Sequence, residues 1–172
     1  MPAGSSGIIR VCIKSKKHGL YLNIDPDGMG YFDPAGAGRV FVATALGPYS
    51  ILHLEFAGSN DCYVRASSIP SICLRMDIGP ESHFFKNLGF GTVNCQYWAE
   101  SLPDSMKTGI EVMSQKSQRD GTCAIEASFN YPGHFLRIDE KGLIYCQCWE
   151  DGPKGDSLEL FEILVLDDII VG

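Results

Sequence analysis

Apolar residues in this chain alternate with polar ones over short runs. They almost never recur at the three- and four-residue spacing of a helix face. "RVCIKS", "GLYLNI", "VFVATA", "SILHLEF", "CYVRAS", "ICLRMD", "TVNCQYW", "CAIEAS", "HFLRI", "LIYCQCW" and "LELFEILVL" each present one apolar and one polar face at period two. That is the pattern of a half-buried strand. Between the runs stand "DPDG", "DPAGAG", "YPG" and "DGPKG", turn sequences rich in Gly, Pro and Asp. About a dozen short strands at close spacing predict an all-β barrel or sandwich.

The runs repeat as units. "GLYLNI" (19–24), "DCYVRA" (61–66) and "GHFLRI" (133–138) align, with Tyr21, Tyr63 and Phe135 in one column and Leu22, Val64 and Leu136 in the next. A strand precedes each: "VCI" (11–13), "LHLEF" (52–56) and "CAIEA" (123–127). Another follows: "GMGYFD" (28–33), "ICLRMD" (72–77) and "GLIYC" (142–146). "VFVATA" (40–45), "GIEVM" (109–113) and "LELFEIL" (158–164) close the units. Three units of four strands predict a β-trefoil of twelve strands over residues 1–172, with repeats at about 9–47, 48–114 and 120–168. Residues 78–108 read as an insertion in the second unit, because the second and third aligned columns lie farther apart than the first and second. One unit has too little apolar surface to stand alone, whereas three share a core and close the barrel edges.

Length and composition fit that expectation. A chain of 172 residues is most simply one domain and buries roughly 70% of its unfolded surface. Hydrophobic residues make up 45% and charged residues 20%, so the chain reads as globular. The net charge of −7 argues against nucleic acid as a partner, because phosphate contacts need clustered Lys and Arg. The only such cluster, Lys14, Lys16 and Lys17, reads as a solvated turn. No run reaches the roughly 18 apolar residues of a membrane span. "MPAGSSGIIRV" lacks the basic start and apolar stretch of a secretory signal. Seven cysteines, an odd number, then predict free thiols in a reducing cytoplasm rather than a disulfide framework.

Candidate chemistry is sparse. Cys146 and Cys148 share a strand face, but no second pair completes the four ligands of a zinc site. The chain has no G-x-S-x-G and no H-E-x-x-H, and "GAGRVF" and "GFGTVN" lack the Lys-Ser/Thr of a phosphate-binding loop. The expectation is a monomeric protein without enzymatic activity, cofactor or metal. The stretch "FFKNLGFGTVNCQYW" (84–98) is dense in aromatics. It reads as an extra hairpin packed on the trefoil, or as a protrusion offering Tyr97 and Trp98 as partner anchors.

The third unit resembles the interleukin-1 family. Those cytokines end in a segment of the form F-E-S-A-x-x-P-G-W-F-L, and here Glu126, the Pro132-Gly133 turn and the Phe135-Leu136 pair stand in the same order, with one extra residue before the turn. "GLYLNIDPDGMGYFD" is similar to the family's first hairpin, and "ILHLEFAGSNDCYVRAS" to its Leu-x-Leu segment. The resemblance implies a β-trefoil that leaves the cytoplasm without a signal peptide and binds an immunoglobulin-type receptor. It also implies receptor contacts at Gly47, Pro48 and Tyr49 and in the last hairpin loop, Asp151 to Asp156, with Lys154 between them. The same pattern is similar to fascin-type actin-bundling repeats, which implies an intracellular interaction protein, and more loosely to fibroblast growth factors. Trefoil lectins carry Gln-x-Trp, matched here by Gln96-Tyr97-Trp98 and Gln147-Cys148-Trp149. That resemblance implies carbohydrate stacked on Trp98 or Trp149.

Overall fold

The computed structural model describes residues 7–25, 39–56, 61–67, 72–77, 90–97, 113–117, 120–127, 134–148 and 158–167. They contain no helix, and so none long and apolar enough to cross a membrane. Twelve strands form one sheet system: β1 (Ile8–Ser15), β2 (Tyr21–Asp25), β3 (Arg39–Ala43), β4 (Leu52–Phe56), β5 (Asp61–Ala66), β6 (Ile72–Asp77), β7 (Phe90–Tyr97), β8 (Met113–Ser117), β9 (Cys123–Ala127), β10 (His134–Ile138), β11 (Ile144–Cys148) and β12 (Leu160–Asp167).

The antiparallel ladder closes on itself. β1 pairs β4, β4 pairs β5, β5 pairs β8, β8 pairs β9, β9 pairs β12 and β12 returns to β1. These six strands are the barrel. The hairpins β2–β3, β6–β7 and β10–β11 spring from β1, β5 and β9 through single rungs, Lys14 opposite Tyr21, Arg65 opposite Cys73 and Glu126 opposite Phe135. Six barrel strands with three hairpins make a β-trefoil, as the repeats predicted.

The three rungs also fix which residues are equivalent. One step back along the barrel strands stand Ile13, Val64 and Ile125, all buried. Two steps further stand Val11, Cys62 and Cys123, facing Leu52, Met113 and Phe161 on the neighbouring strands. These layers fill the barrel with one contiguous apolar cluster. In the hairpins, the residue after each rung is Leu22, Leu74 or Leu136, each wholly buried. Several charged side chains pair across neighbouring segments. Arg65 donates from Nε to Glu55, Lys116 lies 3.5 Å from Glu126, and the Arg137 guanidinium reaches the buried Glu159 carboxylate.

This arrangement corrects the unit boundaries read from the sequence. Tyr63 is not equivalent to Tyr21 and Phe135; Cys73 holds that position. "LHLEF" is the fourth strand of the first unit rather than the first strand of the second, and "VFVATA" supplies the third strand, paired with β2. β4 and β5 form a hairpin by themselves, and their short spacing imitates that of β9 and β10. Within 78–108, Phe90–Tyr97 is not extra: it is β7, an ordinary hairpin strand between β6 and β11. The strand expected at 28–33 lies outside the described residues, as does the one at 109–113 except for Met113, where β8 begins.

Candidate binding face

Two connections carry exposed apolar side chains on short, heavily bonded turns. The first joins β3 to β4. The Ser50 side chain is fully buried; its hydroxyl donates to the Gly47 carbonyl at 2.9 Å and accepts from the Gly47 amide at 2.8 Å. The Ser50 amide adds a bond to the same carbonyl at 3.2 Å. Tyr49 is held from both ends, its carbonyl accepting from the Ile24 amide at 2.9 Å and its ring meeting Phe41 edge-on at 6.5 Å. This bracing leaves Pro48 exposed and Leu46 53% exposed. Ordered backbone lowers the entropy a partner must remove on binding.

The second is the tip of the β10–β11 hairpin. The Asp139 carboxylate accepts from the Lys141 amide at 2.8 Å and the Leu143 amide at 2.9 Å, and the Asp139 carbonyl accepts from the Gly142 amide at 3.0 Å. Gly142 takes φ 78°, which L side chains rarely adopt, and a Cβ there would stand 3.4 Å from Val42 Cγ2. The glycine therefore lets the tip lie against β3, four residues before Leu46. Leu143 projects from it, 62% exposed, beside the exposed Glu140 and Lys141.

Of the residues proposed from the sequence, Gly47, Pro48 and Tyr49 fall together on this face. Tyr49 serves mainly as the anchor beneath it, while Leu46 and Pro48 are the presented groups. Leu46 and Leu143 were missed, although "DEKG" before Leu143 carries a turn signal. Tyr97 ends β7 opposite Ile72. Trp98, Trp149, Asp151, Lys154 and Asp156 lie outside the described residues.

Strand pairing adds meaning to the two Gln-x-Trp motifs. Gln96 stands opposite Cys73, and Gln147 opposite Phe135. Cys73 and Phe135 occupy equivalent rungs, so the motifs begin at equivalent places in the second and third hairpins. The first hairpin has Ala43 opposite Tyr21 at that rung and continues Ala43-Thr44-Ala45.

The thiols are placed for packing. Cys12, Cys62, Cys73, Cys95 and Cys123 are all buried. Burial pushes the Cys12 thiol up from its ordinary range, and pushes Cys62 and Cys123 up to about 11. The neighbouring Cys62 adds to the rise at Cys123. The Gln115 amide approaches Cys62 Sγ at 3.8 Å and opposes the rise there. Thiolate, the nucleophilic and metal-binding form, is therefore scarce at Cys12, Cys62 and Cys123 near neutral pH. Among the described residues no three His, Cys, Asp or Glu side chains gather as a metal site.

No protein-family profile matches this chain, and no curated protein matches it in sequence. Solved structures do match in shape. A designed three-fold symmetric protein, ThreeFoil, superposes with a TM-score of 0.59 at 13% identity, over 91% of this chain and 99% of the designed one. The BEL beta-trefoil in an apo crystal form gives 0.61 at 12% identity, covering 92% and 93% of the two chains. A mosquitocidal holotoxin gives 0.64 at 10% identity over 92% of this chain, which spans only 17% of the toxin. At such identities the likeness establishes the β-trefoil fold.

Proposed function

We propose that this protein is a non-enzymatic binding module that meets a protein partner through the β3–β4 loop and the adjoining β10–β11 tip. The observation that carries the reading is the bracing of Gly47–Ser50 beneath the exposed Leu46 and Pro48, with Leu143 on the neighbouring tip. A turn closed by a buried hydroxyl, presenting apolar groups outward, has the character of an interface anchor rather than of a catalytic pocket. The resemblance to the interleukin-1 family names the finer reading: a cofactor-free monomer, released from the cytoplasm without a signal peptide, that binds an immunoglobulin-type receptor. Its test is surface plasmon resonance against a panel of immunoglobulin-type receptor ectodomains, with Leu46→Asp and Leu143→Asp as variants. An interface hot spot is typically worth at least 2 kcal/mol, so a variant that folds should lose roughly thirtyfold or more in affinity. Binding by none of the panel removes the receptor reading. Binding that both variants retain removes this face.

A second reading is favoured by one specific observation, the equivalent placement of Gln96 and Gln147 on matching rungs. It makes the partner a carbohydrate, held at two of the three hairpins. A glycan array answers it: binding lost in both Trp98→Ala and Trp149→Ala, with the protein still folded, supports sugar recognition, and an array without signal ends it.

A further inference from the structure

We propose that the rung joining Arg10 of β1 to His53 of β4 is an acid-operated latch. When the imidazole takes up a proton, the Ile8–Arg10 end of β1 parts from β4, while the β4–β5 hairpin stays closed. The latch does not depend on what the loop face binds.

Leu52 and Leu54 of β4 are buried in the barrel core, which turns His53 and Glu55 to the outer side of the strand. Yet His53 is only 8% exposed. It stands in a cross-strand row, directly opposite Arg10 on one side and Arg65 of β5 on the other. Among the described residues nothing hydrogen-bonds its ring. No acceptor there stabilises the imidazolium, while desolvation and a neighbouring cation oppose it. Burial first, and Arg10 after it, hold the His53 pKa below its ordinary value.

The two flanking arginines are not alike. The Arg65 guanidinium lies over the Tyr63 ring at 5.1 Å, and donates from Nε to Glu55 and from Nη1 to Cys73 Sγ at 3.3 Å. Glu55, two residues beyond His53 on β4, thus offsets the charge of Arg65 and ties β4 to β5. Arg10 is the cation whose charge acts on the imidazole. Its other rung partner, Asp167 of β12, stands on the side away from β4. Like charges directly opposite on an antiparallel pair are unfavourable, so protonation sets β4 against β1 rather than against β5.

The ladders are unequal in the same sense. β4 and β5 share five rungs, whereas β1 and β4 share four, Ile8 to Val11. The register of β1 against β12 shifts between Arg10 and Val11, and such an irregularity bends a strand. Val11 is wholly buried, whereas Ile8, Ile9 and Arg10 are half-buried. The parting therefore stops between Arg10 and Val11, and the barrel core stays shut.

Amide exchange in the isotope-labelled full chain, followed by NMR at pH 7.5 and 5.5, tests the latch. Each rate is divided by the intrinsic rate at that pH. With an ordinary value of about 6.5, an opened His53 is about nine-tenths protonated at the lower pH and about one-tenth at the higher. Opening is then favoured at most about tenfold more at pH 5.5. The bonded amides of Ile8–Arg10 should lose protection by at least about twofold and at most about tenfold, while those of Asp61–Ala66 keep theirs. His53→Gln, which takes up no proton, should abolish the loss. The His53 ring signals should titrate below about 6.5 in wild type and at a higher pH in Arg10→Gln. If His53→Gln does not fold, the wild-type titration and the site-resolved exchange decide between them. The proposal is overturned if β1 and β5 lose protection alike, if neither loses any, if a folded His53→Gln loses as much as wild type, or if the wild-type ring titrates at or above about 6.5.

Discussion

Replacing Leu22, Leu74 or Leu136 by Ala tests the equivalence that the ladder rungs assign. Each residue follows a rung joining a hairpin to the barrel, and each is wholly buried. Leu→Ala removes the equivalent of three methylene groups, about 2.4 kcal/mol of transfer free energy at about 0.8 per group. If the walls do not collapse, a residual cavity on the order of 50 Å³ adds about 1.2 kcal/mol at about 24 cal/mol per Å³. Each variant should therefore lose about 3.5 kcal/mol, a large part of the 5–15 kcal/mol typical of a folded domain. The three losses should agree within about 1 kcal/mol. Urea titration followed by tryptophan fluorescence measures them, with an unchanged slope showing that only stability moved. A loss below about 1 kcal/mol at Leu74, with full losses at Leu22 and Leu136, would refute the placement of Leu74 and return the equivalent position to the Tyr63–Val64 strand.

Three more outcomes are expected. Glu159→Gln leaves the partly exposed Arg137 without its buried counter-charge. It should cost about 2–4 kcal/mol, and a double-mutant cycle with Arg137→Met should show most of that as coupling. Burial, with Arg10 adding to it, lowers the pKa of His53, so the unfolded chain binds the proton more readily than the fold does. That contribution to stability is complete above about pH 6.5 and is lost as pH falls towards the folded value. Between pH 7.5 and 5.5 the melting temperature should drop less in His53→Gln than in wild type, and equal drops would contradict it. Iodoacetamide labelling mapped by mass spectrometry should leave Cys12, Cys62, Cys73, Cys95 and Cys123 unmodified in the native protein and label them all in denaturant without reductant. A disulfide found among them would contradict the assignment of thiols.

How far the fold was legible depends on which question is asked of the sequence. Period-two alternation and Gly-Pro turns were enough to identify strands, because a strand's faces are a local property of its own residues. The repetition of those runs was enough to imply a three-fold barrel. The alternation carries no information about partners, however: "LHLEF" and "CAIEA" look alike, yet one is the fourth strand of a unit and the other the first. Their difference lies in whether the next strand is in the barrel or in a hairpin. The binding face divides in the same way. Gly47-Pro48 announces a turn, but nothing in the sequence shows that the Ser50 hydroxyl is buried beneath it or that Leu143 sits nearby. The two Gln-x-Trp motifs were visible as strings, and only the pairing put them on equivalent rungs. That β12 pairs β9 only at Leu160 and Phe161 could not be read at all, because the length of a ladder is set by where the partner strand begins, at Cys123 in β9. Local alternation and turn chemistry are written residue by residue. Register, equivalence and edges follow from closure of the barrel, which constrains all six of its strands at once.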